Sequence, residues 1–319
     1  MENNSVESKT GNLFGNLFSA YDQENYLRSV NLFKQRFEDN GFNINYFRGK
    51  KCLDLGCGGG RYSIALSMLG ASEVVGVDIS KVGIEDAKKR AYELKVDNVQ
   101  FIQNTAEELP FFDGYFDCII FSGVLMHMEN PEKGISETSR VLKSGGVIYM
   151  LVYATGGLRW PLINILRNFS HEIGFKTFDQ ILTNSGELDV NKRRTYLDDL
   201  FVPLIDFYTE ERLIKLLHSY GYEKIERWQK GRLDHEESIE SYCDDLNKLT
   251  KLYQLGASMQ DKLPSEVHAL FVGGAEICNA CTAFAQMLVE SVKQGTWSEA
   301  QARKMIIGQG HHRISAIKK

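Results

Sequence analysis

Between Lys51 and about Val152 the chain alternates short β-rich runs, KCLDL, EVVGVD, VQFIQ, FDCIIFS and VIYMLVY, with stretches of helical composition at Arg61 to Leu69, Ser80 to Leu94 and Pro131 to Leu142. Alternation of this kind confines the chain to consecutive βαβ units. The right-handed crossover rule turns these into an α/β fold, a doubly wound, mostly parallel sheet with helices on both faces. Pro131 stands where a helix favours proline, in its first turn.

The segment LDLGCGGGRYS, residues 53 to 63, follows the first strand directly and precedes the first helix. Gly56, Gly58 and Gly60 let the backbone turn sharply and approach a ligand that a Cβ would displace. Asp54 stands two residues before the first glycine. A carboxylate at the mouth of such a loop repels a pyrophosphate and suits a ligand bearing an ammonium and a sulfonium, the two charges of S-adenosylmethionine. Asp78 ends the next strand, where a carboxylate accepts both hydroxyls of a ribose. That position supports a nucleoside without choosing between cofactors.

On both sides of this core the chain has a surplus. Residues 13 to 47 carry Phe14, Phe18, Tyr21, Tyr26, Phe33, Phe37, Phe42, Tyr46 and Phe47. This aromatic spacing predicts a helical N-terminal cap over 1–48 that packs on the sheet edge and can close on a ligand. A core over 49–232 is expected to contain a substrate-side excursion at about 154–205, then the helix-and-strand signature TEERLIKLLHSYGYEKIERW, with Gly221 as the helix stop. From 233 to 319 the chain reads as a helical C-terminal extension. Its stripe Val267, Leu270, Phe271, Gly274, Ile277, Cys278, Cys281, Phe284, Ala285, Leu288 and Val292 must be buried on something, so oligomerisation or a protein partner through these helices is an open expectation. His311, His312, Arg313, Lys318 and Lys319 read as a solvated basic ending.

The segments LDLGCGGGRYS, VVGVDIS, NTAEELPF, GYFDCIIFSGVLMHM and RVLKSGGVIYM, in this order and spacing over roughly residues 50 to 153, resemble the class I S-adenosylmethionine-dependent methyltransferases, in the group of generic small-molecule methyltransferases. The resemblance implies a Rossmann-like core and S-adenosylmethionine as cofactor. It implies that Asp54 and the backbone of Gly56, Cys57 and Gly58, with Gly60 closing the loop, approach the methionine moiety. Asp78 then binds the ribose and Ile79 covers one adenine face. In NTAEELPF the family usually places an aspartate beside the alanine; here the position is Thr105, so adenine recognition leans on the backbone around Ala106 and Glu107. Ser122 and Gly123 resemble the positions whose carbonyls meet the cofactor's amino group.

Methyl transfer is an in-line displacement in which alignment supplies much of the acceleration, and a base is needed only when the acceptor must lose a proton. His127, just after the fourth strand, is the candidate catalytic base because ligands bind at the carboxyl end of such sheets. Tyr21, Tyr26, Trp160, Tyr208 and His235 are candidates for the acceptor side. Cys278 and Cys281 fall on the apolar stripe and lack the further ligands of a tetrahedral site, so no metal centre is expected.

The expected function is therefore methylation of an oxygen, nitrogen or carbon atom of a small-molecule acceptor. An RNA-modifying methyltransferase and a non-catalytic S-adenosylmethionine-binding sensor or assembly protein are the alternatives. The formal charge of −5, from 37 basic and 42 acidic side chains, argues against a nucleic-acid surface. The opening MENNSVESKT lacks the basic and apolar regions of a signal peptide. The apolar run Val272 to Val292 is interrupted by Glu276, Asn279, Gln286 and Glu290. A cytoplasmic protein without a membrane span is the expectation.

Overall fold

KCLDL forms β1 (Lys51–Leu55) in the computed structural model, which describes residues 5–18, 22–186, 190–228 and 238–319, leaving aside the side chains at 7, 18, 185, 190–192 and 194. The chain divides into two compact units. One comprises Met1–Ala154, Pro203–Arg232 and His311–Lys319; the other comprises Thr155–Val202 and Leu233–Gly310.

In the first unit, α1 (Val6–Phe18) and α2 (Gln23–Asp39) precede β1. There follow α3 (Arg61–Met68), β2 (Glu73–Asp78), α4 (Lys81–Glu93), β3 (Val99–Gln103), β4 (Phe116–Ser122), α5 (Pro131–Val141) and β5 (Leu142–Tyr153). After the excursion come α9 (Glu210–Ser219) and β6 (Tyr222–Arg227), and β7 (His311–Lys318) closes the chain. The sheet order is β3-β2-β1-β4-β5-β7-β6. Strands β1 to β5 pair in parallel, while β7 runs antiparallel between β5 and β6. The helix starts are chemically marked: Ser80 caps α4 through the Gly83 amide, Thr209 caps α9 through the Arg212 amide, and Pro131 opens α5.

The central strands bury both faces. Leu53, Leu55, Val75, Val77, Ile119, Phe121, Ile148 and Met150 meet Ile135 and Val141 of α5 and Leu213 and Leu217 of α9. On the opposite face Cys52, Val74, Cys118, Ile120 and Tyr149 meet α3, α4 and the apolar stripe Tyr26, Val30, Phe33 and Phe37 of α2. Tyr26, Phe33, Phe37 and Phe47 of the aromatic N-terminal segment thus belong to this core, with Phe42 and Tyr46 packed against it. Phe37 packs edge-on to Trp228 at 4.7 Å and tilted on Tyr149 at 4.9 Å. Each such fully buried aromatic contributes on the order of 2–3 kcal/mol.

The chain beyond 232 departs from a helical reading at 311–318. HHRISAIK pairs with β5 from Val147↔Ile317 to Tyr153↔His311 and with β6 on its other side. His311, His312 and Arg313 are therefore buried, at 6%, 0% and 1% exposure, and are not a solvated ending. The alternation of β7 is masked in the sequence because both of its faces are covered, so polar residues stand at buried positions.

The second unit is helical: α6 (Arg159–Ile173), α7 (Phe175–Ser185), α8 (Val190–Phe201), α10 (Ile239–Ala257), α11 (Ser265–Lys293) and α12 (Glu299–Ile306). The excursion and the segment before β7 fold together here, which local sequence does not disclose. Helices α10 and α11 pack closely where Gly256 faces Phe271 and Gly274 faces Tyr253. Phe271, Cys278, Ala285 and Leu288 of the α11 stripe are buried. By length and composition alone α11 is nonetheless long and apolar enough to cross a bilayer, because its few polar interruptions leave the run apolar on average.

Candidate functional site

The carboxyl ends of β1, β2, β3 and β4 bring most of the expected cofactor residues together in the first unit. The glycine loop leaves β1 with Gly56 at φ +75°, and a Cβ there would strike the side chain of Val124 in the loop after β4. The amides of Gly56 and Cys57 both donate to the Val77 carbonyl, at 2.7 and 3.0 Å, which fastens the loop to β2. Gly60 at φ +78° precedes α3.

Asp78 is the hub of this end. Its Oδ2 accepts from the Gly58 amide at 2.8 Å and its Oδ1 from the Ser80 amide at 2.7 Å. Burial holds its carboxyl above the usual range, against the pull of those two amides. A carboxylate has about four acceptor positions, so two remain for the hydroxyls of a ribose. Ile79 follows, half-buried, beneath α1.

Asp54 faces inward rather than toward an open mouth. It is 2% exposed and accepts from the Ser63 hydroxyl at 2.6 Å, in the first turn of α3. Burial pushes its carboxyl up to about 6, against the hydrogen bonds from Ser63. An unfolded aspartate titrates near 3.9. The folded state therefore binds this proton more tightly, and the group's contribution to stability is complete below about pH 4 and lost as pH rises through about 6. The loss is on the order of 3 kcal/mol. Asp54→Asn is expected to flatten the fall in urea-unfolding stability between about pH 4 and pH 6.5; equal pH slopes in the two proteins would exclude this origin.

Burial, followed by the carboxylates of Asp78 and Asp54, drives the Cys57 thiol well above its ordinary value. The thiol is protonated and offers no nucleophile. After β3, the Thr105 hydroxyl accepts from the Glu107 amide at 3.2 Å, and Glu107 accepts from the Asn130 amide at 3.2 Å. Ala106 is buried in the core between them. Ser122 ends β4, and Gly123 donates to the Leu151 carbonyl at 2.9 Å.

His127 lies in a short 3₁₀ turn after β4 and is 7% exposed. Its Nδ1 is 2.8 Å from the Leu204 carbonyl, which can only accept, so the neutral ring carries its proton on Nδ1 and its lone pair on Nε2. Phe14 of α1 packs on the ring at 5.2 Å and Tyr153 meets it edge-on at 5.6 Å; His311 packs on Tyr153 at 5.1 Å. Helix α1 reaches this place by lying close on the loop after β2. A Cβ on Gly11 would sit 3.2 Å from Ile79, and one on Gly15 would strike the Ser80 hydroxyl.

The candidates for the acceptor side are dispersed. Tyr26 is buried and donates to the Gly59 carbonyl at 2.8 Å, with Arg90 over its ring, so it braces the glycine loop. Tyr208 is fully buried beside β5, its amide on the Tyr153 carbonyl at 3.0 Å. Trp160 is buried in the second unit. Tyr21 and His235 lie outside the described residues. The sequence names Phe14 only as part of the aromatic cap and Arg313 only as part of the basic ending, and it does not single out Arg36 or Tyr62; the structure sets Phe14 on His127, joins Arg36 to Tyr62 and pairs Arg313 with Leu151 of β5. Tyr62 carries one sequence signal, its place two residues after Gly60.

The sheet order, the glycine loop and the acid ending β2 define a class, and comparison with known proteins agrees with it. A family model described as a methyltransferase domain matches residues 47–174. The chain is 30% identical over 195 residues to the ubiquinone/menaquinone biosynthesis C-methyltransferase UbiE of Pasteurella multocida (strain Pm70), covering 60% of this chain and 69% of that protein. It is 30% identical over 146 residues to the demethylmenaquinone methyltransferase of Oceanobacillus iheyensis, covering 45% of this chain and 61% of that one. The chain thus spans less than two thirds of the latter relative's length. The solved structure of the YcgJ protein from Bacillus subtilis shares the fold, with a TM-score of 0.51 at 19% identity over 92% of this chain and 98% of that one. The chain belongs to the class I S-adenosylmethionine-dependent methyltransferases. S-adenosylmethionine is the cofactor of that class.

Proposed function

We propose that this chain methylates a small-molecule acceptor at the carboxyl end of its parallel sheet. The observation that carries this reading is the roof over that end: α1 lies on Ile79 and Ser80 and sets Phe14 against His127. A site closed over by its own N-terminal helix suits a small acceptor and excludes water. The Pasteurella relative is named for C-methylation in quinone biosynthesis, which supports carbon as the acceptor atom.

The residues present fit the cofactor. Asp78 has acceptor capacity left for a ribose, and the loop from Gly56 to Gly60 with Ser122 and Gly123 provides backbone for the amino-acid end. Ile79 offers an apolar face to the adenine, and the backbone of Thr105, Ala106 and Glu107, in the loop after β3, is assigned to its edge. When bound, S-adenosylmethionine supplies an electrophilic methyl group on a sulfonium. His127, held by Leu204 with its lone pair on Nε2, takes the acceptor's proton. Phe271, Gly274, Cys278, Ala285 and Leu288 of α11 are buried within the helical unit, which supports reading α11 as a helix of that unit's core.

Incubation with methyl-labelled S-adenosylmethionine and a fractionated lysate tests the reading. Label is expected in a small-molecule fraction; label confined to RNA or protein, or no transfer, overturns it. His127→Gln is expected to slow turnover by roughly 10²–10⁴-fold while S-adenosylhomocysteine binding stays within about threefold. Full retained activity would remove His127 from the chemistry.

A further inference from the structure

The orientation of His127 is set from outside its own turn. Two hydrogen bonds join that turn to residues 203–208, a segment of the same unit. His127 donates through Nδ1 to the Leu204 carbonyl at 2.8 Å, and the Asp206 amide donates to the Met126 carbonyl at 2.8 Å. Only Ile205 separates Leu204 from Asp206, so the two bonds cannot shift independently. The place of Asp206 therefore fixes the place of the carbonyl that holds His127.

Asp206 is itself clamped. Arg212, in the first turn of α9, forks onto its carboxylate, Nη1 to Oδ1 at 2.9 Å and Nη2 to Oδ2 at 2.6 Å, and Nη1 also donates to the Phe207 carbonyl at 3.1 Å. The Phe207 amide donates to Asp206 Oδ1 at 2.9 Å. A bidentate guanidinium has a fixed plane, so it sets the orientation of the carboxylate as well as its distance. The guanidinium also lies over the Tyr208 ring, 4.3 Å from its centre. Tyr208 is anchored on the sheet, its amide on the Tyr153 carbonyl of β5 at 3.0 Å and its carbonyl on Nε2 of His312 in β7 at 2.8 Å. A continuous chain of contacts thus runs from the sheet through Tyr208, Arg212 and Asp206 to the Leu204 carbonyl and His127. The Arg212 and Asp206 side chains are 50% and 36% exposed, and ion pairs so open to solvent contribute little to folding. What the pair does hold is the carbonyl that decides which ring nitrogen of His127 keeps the proton.

We propose that Arg212 and Asp206 are positioning residues for His127. Acting through the Leu204 carbonyl, they keep its proton on Nδ1 and leave the lone pair on Nε2. The role rests on the reading of His127 as the base that takes the acceptor's proton, and it explains how a ring packed between Phe14 and Tyr153 is held in the tautomer a base needs.

Nitrogen NMR of the full chain labelled at histidine, recorded at about pH 8.5 where an ordinary histidine is neutral, reads the tautomer directly. His127→Gln identifies the His127 signals by their loss. Wild type is expected to carry the proton on Nδ1. Arg212→Gln and Asp206→Asn are each expected to raise the fraction with the proton on Nε2 by at least about threefold. The double variant is expected to go no further than either single one, because the two side chains act as one unit. Asp206→Asn is isosteric and keeps an acceptor for the Phe207 amide, so it tests the clamp without loosening the chain, and thermal melts check the fold. In methyl transfer to the labelled small-molecule fraction each variant is expected to lower kcat by about tenfold, while S-adenosylhomocysteine binding stays within about threefold. A wild type with the proton on Nε2, or variants whose tautomer does not change, overturns the proposal. Variants that shift the tautomer and still turn over at the wild-type rate confirm the positioning and remove His127 from the chemistry, so the two readings fail separately.

Discussion

Asp78→Ala is expected to weaken S-adenosylhomocysteine binding by at least about tenfold, because two hydroxyl-to-carboxylate hydrogen bonds, each of order 1.5–3 kcal/mol when charge-assisted, are lost together. Asp78 also accepts from the amides of Gly58 and Ser80, so its removal loosens the glycine loop and the start of α4 at the same time. Asp78→Asn separates these effects. The amide oxygen still accepts one backbone bond, so Asn is expected to keep the melting temperature closer to wild type while still losing affinity. Titration of both variants checks this, and an unchanged dissociation constant in Asp78→Ala would remove the ribose assignment.

Gly56→Ala is the second substitution with a large expected effect. At φ +75° an alanine bears a backbone cost of about 1–2 kcal/mol. Its Cβ would also strike Val124, a stiff β-branched side chain at the start of the turn that holds His127. Relieving that overlap costs about 1–3 kcal/mol more and moves either the loop or the turn. The expected result is a melting temperature lower by several degrees and S-adenosylhomocysteine binding weakened by more than about tenfold, through a distorted loop. A variant that melts and binds like wild type would show that the loop does not need glycine here.

Both positions are legible in the amino-acid sequence itself. Glycines spaced between a strand and a helix, and an acid closing the next strand, are short-range patterns, and the strands they belong to form where the alternation puts them. β1 to β4 coincide with KCLDL, EVVGVD, VQFIQ and FDCIIFS, and Gly221 ends α9 ahead of β6. Asp54 is less legible. Its position in the chain is the same whether it faces a ligand or the core, but Ser63 decides which way the carboxylate turns, and that depends on how α3 leaves the loop.

Local sequence determined the βαβ succession, the glycine loop and the acid after β2, because strand and helix periods and turn chemistry act over a few residues. Tertiary structure decided what depends on partners far along the chain. β7 enters the sheet beside β5, more than 150 residues away, and that pairing turns a basic ending into buried His311, His312 and Arg313. The same kind of long-range packing joins Thr155–Val202 with Leu233–Gly310 and lays α1 on Ile79 and Ser80. Periodicity reports which face of an element is apolar. It does not report what comes to cover that face, and at the ligand end of this sheet the covering helix α1 brings Phe14 to His127.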